Sequence, residues 1–166
     1  SHVGEAVEVV TTGLTKIVRC TFGLQITPVR TLSDVQADEF DALAIPGGFE
    51  TEGFYDEAYS DAVGELIRSF NKQSKPITSI CVGALALGKS GILKDRKATT
   101  YHLSDGQRRE QLAAFEVKVI DAPMVRDRNV VTSTSPATAI DVAFQLLADL
   151  TGEANTRQIR QAMGFM

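Results

Sequence analysis

The sequence predicts an α/β domain with a mainly parallel sheet, and three observations predict it. Short β-branched or apolar runs alternate with segments of helical periodicity through the middle of the chain. The run Asp41–Ile45 is apolar almost throughout, as expected of a parallel strand covered on both faces. The run Ile77–Ile80 leads directly into Cys81 and then into small and apolar residues at helical spacing, so a strand turns sharply into a helix. The carboxyl ends of such strands are where chemistry is expected.

Length and composition limit the possible functions. At 166 residues the chain is most simply a single domain spanning 1–166, long enough to bury a core. The formal net charge of −4 argues against a nucleic-acid-binding surface, and Arg108-Arg109 is expected to lie on a solvated helix face. No apolar run approaches the roughly 18 residues of a membrane span, and we expect no signal peptide. Two cysteines, Cys20 and Cys81, are too few for a disulfide framework, so we expect a cytoplasmic location.

The first quarter of the chain predicts short strands. In chain order they are Ala6–Thr11, Ile17–Cys20, Leu24–Val29 and Asp41–Ile45. The second and third are expected to form a hairpin or an edge excursion, and Pro28 favours the edge of a sheet. Ser33–Phe40 predicts a short helix or turn, and Pro46-Gly47-Gly48 stops the last strand.

The rest of the chain alternates helices and strands. Apolar residues on one face predict a helix over Ala58–Lys72. Ser104 and Gln107 have the spacing of a capping box, and Ser135-Pro136 is a typical helix opening. The other expected elements are a strand over Ala98–Thr100, a helix over Asp105–Ala114, strands over Val117–Asp121, Met124–Arg126 and Val130–Thr134, a helix from Ser135 that stops at Gly152, and a polar helix over Glu153–Met163.

Cys81 is the candidate nucleophile. A thiol at the corner between a strand and a helix meets the positive end of the helix dipole, which favours the thiolate. The alternative is a buried, inert thiol, because free cysteine is among the most buried residue types. Cys20, in a short β run, keeps that inert interpretation.

Gly47 and Gly48 are candidate contributors to an oxyanion hole. Glycines let backbone N–H groups approach a substrate closely, and with the Val82 amide they would stabilise a tetrahedral transition state. The alternative is a simple turn after a buried strand. The later position of the elbow cysteine, some thirty residues on, favours the functional interpretation.

His102 is the histidine available as a proton acceptor for Cys81, although a structural hydrogen-bonding role is the alternative. Acidic residues after the glycine turn (Glu50, Glu52 and Asp56) are expected to be solvated, and the alternative for one of them is a place at the border of the pocket. Thr134, Ser135 and Thr138 are interpreted as helix caps first and pocket lining second. No Cys/His spacing or acidic cluster predicts a metal, and no phosphate-binding glycine loop is present, so no cofactor is expected.

Several segments together resemble the ThiJ/PfpI superfamily, within the class I glutamine amidotransferase-like folds. They are Ala44–Gly48, Ser79–Ala84, Gly91–Leu93, Ala98–Thr100 and Val131–Ser133 before the Pro-Ala-Thr-Ala helix. The resemblance covers Ala6 to Leu150 and is nearest to the isonitrile-hydratase-like branch. It implies a flavodoxin-like three-layer α/β/α sandwich, Cys81 as nucleophile, an oxyanion site at Gly47, Gly48 and Val82, and a homodimer.

Three departures from the family pattern qualify that resemblance. Val82 follows the cysteine, whereas the amidase/protease branch has a histidine at that position. Glutaminases also have a histidine near the start of the last large helix, where this chain has Ser135-Pro136. The superfamily also begins with a strand and a helix before the segment matching Ala6–Thr11, and their turn supplies an acid that hydrogen-bonds the cysteine. We therefore expect this domain to be N-terminally incomplete relative to the family, with the acid outside this chain.

The leading hypothesis is a cysteine-dependent enzyme, hydratase-like or amidase-like, that acts on a small electrophilic substrate. The reaction would be isonitrile hydration, C–N hydrolysis or reactive-aldehyde chemistry. The alternative is a redox-sensing or stress-protective protein whose elbow cysteine is oxidised without turnover. A ligand-binding domain with a vestigial pocket ranks last. Neither nucleic acid nor a membrane is an expected partner.

Overall fold

The computed structural model describes residues 7–103 and 105–165. The strands are β1 (Thr12–Gly13), β2 (Val18–Arg19), β3 (Gln25–Ile26), β4 (Arg30–Thr31), β5 (Leu43–Ile45), β6 (Ile77–Ser79), β7 (Lys97–Ala98), β8 (Lys118–Val119), β9 (Met124–Asp127) and β10 (Val130–Ser133). The α-helices are α1 (Phe54–Ala58), α2 (Asp61–Lys72), α3 (Gly83–Lys89), α4 (Gln107–Ala113), α5 (Ala139–Thr151) and α6 (Glu153–Ala162).

The central sheet has the order β5-β6-β10-β9. β5, β6 and β10 run parallel, and β9 joins β10 as an antiparallel hairpin. Its two faces are both covered. Val130 packs in the main core with residues of α2, α3 and α4, whereas its neighbour Val131 is buried outside that cluster, on the side where α5 packs against β6 and β10. The expected α/β fold with a mainly parallel sheet is confirmed.

The first quarter of the described chain is less regular than expected. Val7–Thr11 form no strand, and pairing begins instead at β1, which runs parallel to β4. Ala6 lies outside the described residues. Val7 and Val9 are exposed, and β-branched residues do not form a strand without a neighbour to pair with or a face to bury. The expected hairpin is present, because β2 and β3 pair antiparallel around a 3₁₀ turn at Thr21–Gly23.

β5 is less covered than its apolar sequence indicates. Leu43 and Ile45 are only half-buried and Ala44 is exposed, so the expectation of a strand covered on both faces is wrong in this structure. In the described residues β5 pairs with β6 alone. An apolar groove of about 610 Å³ lies beside β5, with β1 and the β2 strand on its other wall and Val63, Leu66 and Ile67 of α2 also lining it.

The later helices differ from expectation in detail. α1 was not expected, and α2 begins after Ser60, whose hydroxyl accepts a hydrogen bond from Val63 N at 3.4 Å. The residue before α4 is Gly106, with φ +79°, while Ser104 of the predicted capping box lies outside the described residues. Ile140, in the first turn of α5, is 50% exposed. Among the described residues no helix is both long and apolar enough to cross a membrane.

Candidate active site at the Cys81 elbow

Cys81 occupies a strained backbone position just beyond β6, from which Ile80 separates it. Its φ is +57°, in the left-handed region that non-glycine residues enter at a cost. Two hydrogen bonds hold the residue there: Cys81 N donates to the Ser133 carbonyl at 3.0 Å, and Thr100 Oγ1 donates to the Cys81 carbonyl at 2.9 Å. The sharp strand-to-helix corner expected from the sequence is therefore present, and it is fixed by the ends of two neighbouring segments.

Glycines make this corner sterically possible. A Cβ added to Gly83, the first residue of α3, would lie 2.8 Å from the Pro46 carbonyl oxygen and 2.9 Å from that of Ile45. A Cβ at Gly47 would lie 2.9 Å from Cys81 Cβ and 3.5 Å from Cys81 Sγ. Backbone carbonyls cannot move aside as a flexible side chain can, so Gly83 is needed where α3 begins. The Pro-Gly-Gly turn thus lies against Cys81, as the sequence predicts.

The Cys81 thiol is partly buried, and its surroundings act on it in opposite directions. Burial raises the pKa of the Cys81 thiol above its ordinary value. The Val82 backbone N–H, which hydrogen-bonds the sulfur, and the positive charge of Arg108 both lower that pKa by smaller amounts. The helix end by itself favours the thiolate, as expected from the sequence, but desolvation of the thiolate outweighs that effect here, so the pKa of the thiol is raised and not lowered.

Arg108 is a site residue that was not predicted from the sequence. It was expected on a solvated helix face, but its side chain is only 17% exposed. Its guanidinium lies over the Tyr55 ring, 5.2 Å from the ring centre, and bonds Glu50. The sequence signal was the aromatic pair Tyr55 and Tyr59, spaced to present two rings on one side of a helical segment soon after the Pro-Gly-Gly turn.

His102 is exposed, and its ring lies beside that of Tyr101, with 6.4 Å between ring centres. Its charge helps to lower the pKa of the Asp121 carboxyl, a smaller effect than that of the hydrogen bond from Arg109. The groups that act on the Cys81 thiol are instead Val82 and Arg108. The structure therefore brings Gly47 and Val82 to the sulfur and places His102 at the surface.

The expected side-chain caps are not formed: Ser135 and Thr138 are the N-cap residues of the 3₁₀ turn at Pro136–Thr138 and of α5, but neither side chain makes a capping hydrogen bond. Thr134 is buried and its N–H bonds the Pro123 carbonyl, while Thr138 Oγ1 donates to the Ser135 carbonyl at 2.7 Å. Glu52 and Asp56 line the groove beside β5, and Glu50 pairs with Arg108. Within residues 7–103 and 105–165, no cluster of His, Cys, Asp and Glu side chains could hold a metal ion.

Comparison with known proteins identifies the family. The DJ-1/PfpI family profile matches residues 2–149. The chain belongs to the DJ-1/PfpI family. Its fold is accordingly the flavodoxin-like fold of that family, and a ThiJ/PfpI family protein from Pseudomonas syringae superposes with a TM-score of 0.83 at 26% identity, over 95% of this chain and 63% of that one.

Curated relatives carry several different names. Protein dj-1beta of Drosophila melanogaster is 30% identical over 88% of this chain and 75% of its own length. Glutathione-independent glyoxalase DJR-1.2 of Caenorhabditis elegans is 30% identical over 87% of this chain and 74% of its own. Isonitrile hydratase of Pseudomonas putida is 32% identical over 84% of this chain and 57% of its own. The family is therefore established, while its members have different activities.

Proposed function

We infer that the protein is a cysteine-dependent enzyme acting on a small electrophilic substrate, with Cys81 as nucleophile. The observation that carries this proposal is the elbow itself: a cysteine at φ +57°, with the Val82 N–H on its sulfur and the Gly47 backbone against it. Strained residues of this kind persist where the surrounding structure enforces them, and they concentrate at active sites. The named activities of the glyoxalase and the isonitrile hydratase support the same class of substrate.

The chemistry is simplest for an aldehyde. The Cys81 thiolate forms a bond to the carbonyl carbon, and the electron pair of the C=O bond moves to oxygen, which then takes up a proton. Backbone N–H groups of Gly47, Gly48 and Val82 would stabilise that oxyanion, a contribution of about 3 kcal/mol per well-placed donor. Isonitrile hydration and C–N hydrolysis would use the same nucleophile.

Proton transfer requires a partner for Cys81, because burial keeps the pKa of the thiol above its ordinary value. We propose His102 as that partner. His102 would have to approach from its exposed position at the end of the segment after β7.

Replacement of Cys81 tests the proposal. Cys81→Ser should abolish turnover of a panel containing a dicarbonyl, an isonitrile and a primary amide, while circular dichroism and the melting temperature stay near those of the parent protein. Cys20→Ser is the matched control, since Cys20 is also free and partly exposed, and it should keep full activity. Turnover that survives Cys81→Ser would refute the assignment of the nucleophile.

A redox-sensing or stress-protective role is the second candidate, favoured by a free, partly accessible Cys81. In this role hydrogen peroxide oxidises the Cys81 thiolate to the sulfenate, releasing water, and a second equivalent gives the sulfinate. Mass spectrometry after mild peroxide treatment distinguishes the candidates. A stable sulfinate at Cys81 together with no turnover on the panel supports the sensor and contradicts the enzyme.

We further propose a homodimer in the cytoplasm with a small-molecule substrate. Exposed apolar side chains on the β2–β3 hairpin, Phe22 above all, support self-association, because water-exposed apolar side chains grouped together favour an interface. Two free cysteines are consistent with a reducing compartment.

A further inference from the structure

Arg108 is held between two elements that flank the Cys81 elbow. It belongs to α4, and its Nη2 bonds Glu50 Oε2 at 2.7 Å. Glu50 is only two residues beyond Gly48, so this ion pair ties the Pro-Gly-Gly segment to α4. Nη1 donates to Gln111 Oε1 at 2.9 Å, one turn along the same helix. Both terminal nitrogens of the guanidinium, Nη1 and Nη2, are therefore held by hydrogen bonds.

The position of the guanidinium is also set by aromatic rings. Its Cζ lies 5.2 Å from the centre of the Tyr55 ring, within the range of a cation–π contact. The Tyr55 ring packs against Phe54 and Tyr59, with centre-to-centre distances of 5.2 and 5.1 Å. Phe54 in turn occupies the space beside Gly48 that a Cβ would need. The rings thus connect Arg108 to the glycine turn by direct packing.

The charges of the pair are unequally exposed to solvent. The Glu50 side chain is 62% exposed, whereas the Arg108 side chain is 17% exposed. Water screens an exposed carboxylate more than a covered guanidinium, so a positive field persists on the inner side of the pair. Arg108 lowers the pKa values of Cys81, Tyr55 and Tyr59 against the larger effect of burial, so its field acts on the sulfur and on both phenols.

We propose that Arg108 is a positioning residue of this site: it holds the Gly47-Gly48 turn through Glu50 and Tyr55 and keeps a fixed positive charge toward the Cys81 sulfur. The role rests on the proposed function of Cys81 as nucleophile. The charge would stabilise the thiolate before attack, and the anchored turn would keep the glycine amides in place for the oxyanion.

The test measures iodoacetamide labelling of Cys81 by mass spectrometry against pH, without substrate, in the full chain. Arg108→Gln should move the labelling midpoint upward and slow labelling at pH 7 about three- to tenfold, equivalent to half to one pKa unit. Arg108→Lys should restore part of that rate by restoring the charge. Glu50→Gln removes the ion pair but leaves the positive charge, so it should label at least as fast as the parent protein.

Arg126→Gln is the matched control, since Arg126 also bonds a carboxylate on another element, Asp149, at 2.6 Å. It should leave the midpoint unchanged. If Arg108→Gln does not fold, Arg108→Met takes its place, because methionine retains apolar packing over Tyr55. An unchanged midpoint in the neutral Arg108 variant, or an equal upward shift in Glu50→Gln, would overturn the proposal.

The same variants separate this inference from the proposed function. If the parent protein turns over none of the substrate panel, the proposed enzymatic function is refuted. The labelling midpoints still show whether Arg108 affects the ionisation of the Cys81 thiol. A shifted midpoint with unchanged turnover would show that Arg108 acts on the sulfur without positioning the catalytic turn, and it would contradict the positioning role.

Discussion

The Cys81 elbow and the segment Val7–Thr31 contrast strongly, although both are rich in β-branched residues. Ile77, Thr78 and Ser79 of β6 are almost completely buried between two parallel neighbours. In the other segment Val9 is 77% exposed and Phe22 is 95% exposed, and its strands are two residues long. Similar local propensities thus give a rigid strand in one place and isolated pairings in the other. The number of covering neighbours makes the difference.

The largest expected difference between the two regions is in stability. Ile77→Ala should lower the free energy of unfolding by about 2–5 kcal/mol, because it leaves a cavity in a fully buried strand. Val9→Ala, at an exposed position, should change it by no more than about 0.5 kcal/mol. Urea denaturation followed by circular dichroism measures both. Equal losses would show that Val7–Thr31 is as well packed as the elbow.

A smaller effect is expected from the hydroxyl that holds the elbow. Thr100→Val removes the donor to the Cys81 carbonyl at nearly constant volume, and should cost about 1–3 kcal/mol. Thr99→Val is the neighbouring control. Thr99 is equally buried, but among the described residues its hydroxyl has no hydrogen-bond partner, so its removal should be neutral or stabilising. The reverse order of the two melting temperatures would contradict the role assigned to Thr100.

Alkaline pH should weaken the site before it affects the exposed hairpin. Burial raises the pKa of Tyr55 to about 12, above its ordinary value of 10.0. The neutral phenol is favoured in the folded protein, so its contribution to stability is complete below pH 10 and is lost as pH rises toward 12. The parent protein should therefore lose more stability than Tyr55→Phe between pH 9.5 and 11.5 in thermal melts. Parallel losses would exclude Tyr55 as the titrating group.

The smallest change in chain stability is expected at the hairpin tip. Phe22→Ser removes a ring that is 95% exposed, so the free energy of unfolding should change little. If the exposed hairpin contributes to the proposed homodimer, the same change should weaken association in light scattering after gel filtration. Leu103→Ser, at another exposed apolar position, provides the control. An unchanged mass for Phe22→Ser would remove the hairpin from the interface.

The elbow could be predicted from the sequence because its causes are local. A short strand without charged residues, a cysteine after it and a glycine two residues later favour the corner wherever the strand is placed. Arg108 could not be predicted in the same way, since its burial depends on Tyr55 and Glu50, more than fifty residues earlier in the chain. The exposure of β5 also escaped prediction, because an apolar run indicates which residues can be covered and not whether a neighbour covers them.

The left-handed backbone at position 81 has a consequence for how the protein can change. Replacing Cys81 with glycine would remove about 1 kcal/mol of backbone strain, so the residue that is most favourable for the stability of the fold at this position carries no sulfur. Selection for stability alone would therefore favour the loss of the Cys81 thiol. A lineage that retains cysteine at this corner retains it against the preference of its own backbone.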